Sequence, residues 1–454
     1  MGRPRVLSHP DDRAILRLAV PAFATLIAEP LYVLADTAIV GRLGTQPLAG
    51  LAVAAAVLTS VFWLVSSVTV ASAGLVARRF GRSDDRGAAE VAVSLAWMCV
   101  VLSAVLLVVF VAIPGPIVRA FGASANAAPD ATVYLRISAI GLPFLLCTAP
   151  ALNYLRGLQD TRTPLLITVA ANVVNIVLEV VLVYGFHVGI AGSAWGTVIA
   201  QILAFAAYAA IVVPRVRRTH AAGRPRAHDV REISRLGGYM LVRTLALTAA
   251  LTGSTAIAAR MSDVEVAAHQ VVLQLWLLSA LALDAIAIAG IALIGKRLGE
   301  DDARGAESAA RRMIRYGVWM GVIIGAVMLA TRQWLPAIFT DDRAVQRAAQ
   351  GALLVAACMQ PLSGHAFTLD GILLGAGDTR AMAGLMLLSL FGVFVPAAAI
   401  VVATGAGLTW LWVAIAVWVA SRCVGLGWRF HSARWLVMEV PTDAEPAGAT
   451  TPTD

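Results

Sequence analysis

The chain has 454 residues, of which 59% are hydrophobic and only 14% charged, with a mean hydropathy of +0.80. Average soluble domains carry about 25% charged residues, so this composition excludes an ordinary soluble domain. The net charge of +8 is split among arginine clusters at 3–17, 78–86, 215–235, 296–312 and 422–434, each beside an apolar run, which excludes the folded basic surface that a nucleic-acid partner needs.

The apolar residues fall in runs of about 20, the length that crosses a bilayer as a helix. We expect twelve spans, at 15–40, 48–74, 88–113, 131–152, 163–185, 190–213, 236–258, 265–294, 313–331, 346–374, 380–403 and 407–430. The first fourteen residues are polar and basic and run into a full-length span without a small-residue cleavage site, so a retained first helix is expected. That first span carries Glu29 and Asp36 inside PAFATLIAEPLYVLADTAIVGRLG. A carboxylate in hydrocarbon costs at least ~2.5 kcal/mol, so it faces a bundle interior and has a task. Pro21 and Pro30 interrupt the hydrogen-bond ladder of the same helix and make it a hinge. Cys99, Cys147, Cys358 and Cys423 are scattered without a CxxC pair and read as packing thiols.

The basic links (77–87, 214–235, 295–312) alternate with basic-poor ones (185–190, 259–264, 403–407), which puts both termini in the cytoplasm. An internal repeat runs through the chain at a shift of 218 residues. RRFGRSDDRGA at Arg78–Ala88 matches KRLGEDDARGA at Lys296–Ala306, and LRGLQDTR at Leu155–Arg162 matches LLGAGDTR at Leu373–Arg380. Thr37–Ile39 matches Thr255–Ile257, and Pro143 matches Pro361. Several matches at one shift indicate duplication. Six spans per copy insert the same way up, as in transporters with substrate between two lobes. The expected fold class is all-α: a polytopic membrane protein of twelve transmembrane helices in two pseudo-symmetric six-helix lobes. The expected divisions are an N-lobe (1–213), a cytoplasmic linker (214–235), a C-lobe (236–432) and a disordered cytoplasmic tail (433–454).

Polar groups of the first half converge in depth. Asp36 lies about one turn from the outer end of span 1, and Tyr134 opens span 4. Asn172, Asn175 and Glu179 share one face of span 5, and Thr197 lies about two turns into span 6. Such a cluster can hold a proton, or sodium on the oxygens of Asp36, Asn175, Glu179 and Thr197. In the second half, Asp284, Asp370, Gln270 and Gln274 are expected, with Glu29, to line a cleft that attracts cations. Span 7 is expected to offer only Thr and Ser as polar groups, and Trp276 and Met261 are expected to pack against lipid or core, with lining of the cleft as the alternative.

These residues carry a resemblance. DTAIVGRLG after a proline-bearing first helix, the NIVLE and LVYGFHVGIAGSAWGTVIAQ runs within Asn175–Gln201, the paired GDTR-type ends and the duplicated six-span unit resemble the multidrug and toxic compound extrusion (MATE) family, in its DinF-like branch. The resemblance covers about residues 12–432. It implies an acidic cation-coupling cluster in the first lobe: the first-helix aspartate falls on Asp36, its bend-forming proline on Pro21, and the tyrosine, asparagine and threonine of helices 4, 5 and 6 on Tyr134, Asn175 and Thr197. The fifth-helix acid, usually Asp, is Glu179 here. Span 7 has no acid where NorM-like members carry glutamate, while Asp284 and Asp370 sit in DinF-like runs.

The expected function is secondary-active multidrug export, antiporting protons or sodium against amphipathic organic cations by alternating access of the lobes. The runner-up is a lipid or polysaccharide-precursor flippase of the same superfamily. An integral-membrane transferase is disfavoured, because the spans hold no DDxxD, HExxH or Ser/Lys pair, and Asp84-Asp85 and Asp301-Asp302 fall in equivalent turns. No cofactor beyond the coupling ion and no resident metal is expected. The partners expected are small cationic or amphipathic substrates and the bilayer, without nucleic acid. A monomer in the plasma membrane is expected.

Overall fold

The computed structural model describes residues 10–436. Its long helices, numbered in chain order, are α1 (Pro10–Gly41), α2 (Thr45–Gly81), α3 (Asp85–Ala112), α4 (Ala128–Gly157), α5 (Arg162–Gly185), α6 (Ile190–Arg218), α7 (Ala227–Met261), α8 (Asp263–Gly299), α9 (Ala303–Thr331), α10 (Arg343–Cys358 and Gln360–Ala376), α11 (Thr379–Thr404) and α12 (Gly407–His431). Eleven of these described helices are each long and apolar enough to cross a membrane. The halves of α10 meet at a 51° bend and together make the twelfth span. Pro361, at the start of the second half, cannot donate to the ladder and accounts for the break. Cys358 lies exposed at that break rather than packed, unlike the buried Cys99 and Cys423.

Hydropathy underestimates several helices. The stretch read as a linker, 214–235, is helical at both ends, leaving only 219–226 between α6 and α7. Arg215, Arg217 and Arg218 occupy the last turn of α6, where cations favour the carbonyl end of a helix. Of the tail expected to be disordered, 433–454, residues 434–436 instead form a 3-10 turn with Trp435 buried, and 437–454 lie outside the described residues.

The duplication is visible in the backbone. Left-handed residues recur in pairs at the 218-residue shift: Ser83 (φ 58) with Asp301 (φ 57), Gln159 (φ 62) with Gly377 (φ 80), His187 (φ 57) with Gly405 (φ 63). Such a conformation costs an ordinary residue about 1–2 kcal/mol, so the turns are fixed by their surroundings. The acidic repeats explain themselves in the same way. Asp84 caps α3 by accepting from the Gly87 amide at 2.7 Å, and Asp302 caps α9 by accepting from the Gly305 amide at 2.8 Å. A Cβ on Gly87 or Gly305 would overlap the capping carboxylate, at 2.0 and 1.8 Å. Asp160 faces Arg215 at the end of α6 (3.5 Å), and Asp378 faces Arg429 at the end of α12 (2.5 Å).

The core shows how the lobes meet. On the side of the basic links, Ile15, Leu75, Leu155 and Tyr208 of the first lobe pack in one continuous core with Ile294, Met313, Leu373 and Phe430 of the second. On the opposite side the core separates. Val40, Leu51 and Tyr134, with a neighbouring cluster around Val57, Phe110 and Leu142, belong to the first lobe alone. Trp276, Trp412 and Trp418 belong to the second. The lobes are therefore joined at the basic-link side and parted at the basic-poor side. Trp276 is a core residue of the second lobe, and Met261 packs against the same core, as expected for packing residues.

The seam of the joined side is made by glycines. A Cβ on Gly81 would lie 2.1 Å from the Lys296 carbonyl oxygen, and one on Gly299 would lie 2.1 Å from that of Arg78. Asp11 and Asp12 at the start of α1 bind Arg297 (3.0 Å) and Arg312 (3.2 Å) across the same seam. Gly299→Val should leave each lobe folded while prising the seam apart. A longer spin-label distance between Asp85→Cys and Glu307→Cys, in a background lacking the native cysteines, is the expected result. An unchanged distance would show that the seam absorbs the side chain.

Candidate functional site

Asp36 lies in the C-terminal half of α1, the half where the lobes are parted. Its Oδ1 accepts a hydrogen bond from the Ser193 hydroxyl of α6 at 2.8 Å. Its carboxyl group is a hydrogen-bonding neighbour of the Glu179 carboxyl from α5. Glu179 is fully buried, and its Oε1 accepts from Tyr32 and from Thr197, each at 3.4 Å. The Tyr32 and Thr197 hydroxyls are 3.2 Å apart, and the Asn175 amide donates to Thr197 at 3.5 Å. Tyr134 of α4 is buried against the same group and interacts with Thr197 and Ser193.

Local sequence explains the convergence. Asn175 and Glu179 are four apart on α5, and Ser193 and Thr197 are four apart on α6, so each pair stacks on one helix face. Gly196 lets the helices close: a Cβ there would come 3.0 Å from Glu179 Cγ. Tyr32 precedes Asp36 by one turn on α1. The site therefore unites Asp36, Tyr134, Asn175, Glu179 and Thr197, as expected, and adds Tyr32 and Ser193. A periodicity signal existed for both additions, since each stands four residues from an expected member. Asn172 is not in the group. Its amide donates to the Ala28 carbonyl of α1 at 3.0 Å and ties α5 to the first helix. Pro21 and Pro30 lie inside one unbroken helical element, with the Thr25 hydroxyl bonded to the Pro21 carbonyl at 2.9 Å.

Asn175 Oδ1 and Glu179 Oε2 are buried and have no partner among the described residues. Two carboxyl groups within hydrogen-bonding reach need one proton between them, because two adjacent buried charges repel strongly. Carboxylate, amide and hydroxyl oxygens together also suit a small hard cation.

The second lobe departs from expectation. Asp370 is buried, and its Oδ2 accepts from Arg422 at 2.8 Å and from Arg243. Two guanidinium groups neutralise its charge, so it does not offer a free negative group to the cleft. Arg243 belongs to α7, so the seventh span offers an arginine as well as Thr and Ser. Asp284 stands near the same cluster and accepts no hydrogen bond from the described residues. Gln270 and Gln274 are exposed on one face of α8, and Glu29 is exposed on α1. His269 is buried, between the Ser254 and Thr255 hydroxyls at 3.4 and 3.2 Å and the Trp412 ring.

Comparison with known proteins agrees with this architecture. Protein DETOXIFICATION 44, chloroplastic, of Arabidopsis thaliana is 29% identical over 431 residues, covering 91% of this chain and 81% of the relative. DNA damage-inducible protein F of Escherichia coli is 26% identical, covering 93% of each. A probable multidrug resistance protein NorM of Deinococcus radiodurans is 29% identical over 83% of this chain and 85% of the relative. Among solved structures, a MATE in the bent conformation superposes with a TM-score of 0.86 at 22% identity, covering 94% of this chain and 96% of that one. The MatE family model matches twice, at residues 21–181 and 240–400, once in each half, and the chain belongs to the MatE family.

Proposed function

We propose that this chain is a secondary-active multidrug exporter of the plasma membrane, exchanging a proton, or sodium, for amphipathic organic cations. The observation that carries the reading is the buried Asp36–Glu179 pair in the outer half of the first lobe. Family membership and relatives named as multidrug resistance proteins support the transport class. The lobes alternate about the cleft, and cation loading at the pair biases α1 between its bent and straight forms. Glu29, Asp284, Gln270 and Gln274 receive the cargo. A gradient of one charge across 100 mV supplies about 2.3 kcal/mol to drive the cycle. The test is dye export from inside-out vesicles with pH and sodium gradients imposed separately. Export under neither gradient would refute ion coupling.

The basic-poor side, where the lobes are parted, faces outward in this reading, and both termini are cytoplasmic. A cysteine at Thr219, between α6 and α7, should resist an impermeant thiol reagent in intact cells and react in inverted vesicles. Labelling from outside would reverse the orientation.

One observation favours a second reading. Arg243, within α7, places a guanidinium among the second-lobe spans, which suits the anionic head of a lipid or polysaccharide precursor. Flipping of a fluorescent anionic lipid, with no dye export by the same vesicles, would favour the flippase.

A further inference from the structure

On the basic-link side a cavity of about 880 Å³ opens between the lobes. Seven arginines line it against two carboxylates, Glu232 and Asp378. Arg78, Arg79 and Arg82 come from the first lobe. Arg235, Arg380, Arg429 and Arg434 come from the second.

Some of this charge is already used. Arg429 binds Asp378, and Arg79 binds Asp229 just outside the cavity at 2.5 Å. The Arg78 guanidinium lies on the turn at Gly377 and donates to the Gly375 carbonyl at 3.3 Å. Arg235, Arg380 and Arg434 are exposed and form no ion pair among the described residues. Trp435 holds the last turn in place: it stacks on Phe430 with centroids 5.3 Å apart and donates its indole N–H to the Phe430 carbonyl at 2.9 Å. The turn that carries Arg434 is thus held at the cavity wall.

We propose that this cavity is a binding site for a phosphate group, and that its ligand bridges the lobes and so binds the joined state in preference to the parted one. Planar guanidinium forks match phosphate oxygens in pairs of hydrogen bonds. Convergent like charges in a concave wall concentrate an anion there. Basic pockets between membrane helices on the cytoplasmic side take anionic lipid heads, and a soluble polyphosphate offers the same oxygens. Selective binding to one state shifts the population toward it. A ligand held by Arg78 on one lobe and Arg380 on the other must be released before the seam at Gly81 and Gly299 opens.

The test uses the full chain and Arg235→Gln/Arg380→Gln/Arg434→Gln, exposed positions whose loss spares the packed seam. One arm adds pyrophosphate to detergent-solubilised protein, against chloride at equal ionic strength. The other places the protein in phosphatidylglycerol or phosphatidylcholine nanodiscs and counts retained lipids by native mass spectrometry. The native chain should gain a few degrees in unfolding midpoint with pyrophosphate, or retain phosphatidylglycerol selectively, and the triple variant should lose that response. Selective retention of phosphatidylglycerol assigns a lipid head, and a pyrophosphate response without selective lipid retention assigns a soluble phosphate. In either case the Asp85–Glu307 label distance should narrow in distribution when the ligand is present. No response in either arm, an equal response in the triple variant, or no change in the distance would overturn the proposal. So would binding gained only by a chain ending at Leu436, which would give the cavity to the acidic residues Glu439, Asp443 and Glu445 of the chain itself. Dye export is not the readout, so these outcomes stand apart from the test of ion coupling.

Discussion

Asp36→Asn should reduce gradient-driven dye export to the level of empty vesicles while leaving the protein inserted and folded. The substitution keeps the shape of the side chain and its contact with Ser193, now as amide to hydroxyl. What it removes is the titrating oxygen beside Glu179. With one carboxyl left, the pair no longer exchanges a proton between two acids, and occupancy no longer follows the gradient. Substrate binding should survive in part, because the residues proposed to receive the cargo, Glu29, Asp284, Gln270 and Gln274, lie outside the pair. Glu179→Gln should lower export less severely if Glu179 mainly tunes Asp36. Ser193→Ala is the control for position. It removes a donor at 2.8 Å from Asp36 but no titrating group, so it should change the pH profile and retain export. The measurement is export driven by an imposed pH gradient in sodium-free vesicles, with expression checked. Full export by Asp36→Asn would remove Asp36 from the coupling.

The acids that identify this site were legible for one reason. A charge inside an apolar run is costly, so Asp36 and Glu179 stand out against their background. The repeat was legible because its matching segments are turns, and a turn held by an aspartate cap and a left-handed residue tolerates few sequences. Ser193 and Tyr32 were missed because hydroxyls in apolar helices are common and satisfy themselves locally. The helical ends of 214–235 were missed because hydropathy marks only the part of a helix that lipid covers. Arg243 and Arg422 were the larger omission. Each is a charge within a span and as legible as Asp36, but sequence gives no partner to residues 127 and 52 positions from Asp370. Attention to both signs of charge in every span would have raised the pairing, and with it the neutral character of Asp370.

That pairing changes what Asp370 and Asp284 should do when mutated. Asp370→Ala would leave Arg243 and Arg422 without their hydrogen-bonded ion-pair partner; Arg422 is only 3% exposed and lies over the Trp418 ring at 5.4 Å. Removing one partner of a buried ion pair costs about 3–5 kcal/mol, far more than an intact pair contributes. The variant should therefore unfold at lower temperature, accumulate poorly and lose resistance to cationic and neutral compounds alike. Asp370→Asn should fall between, since an amide still accepts a hydrogen bond but carries no charge. Asp284 is the contrasting case. No donor among the described residues engages it, so Asp284→Asn should leave the unfolding temperature nearly unchanged. Under the proposed function its loss should weaken resistance to cationic dyes more than to neutral ones, because a carboxylate that receives the cargo distinguishes the two. Unfolding midpoints of the purified variants, beside resistance profiles matched for expression, separate the cases. A stable Asp370→Ala with dye-selective loss would mean that its arginines find other partners and that Asp370 serves the cargo after all.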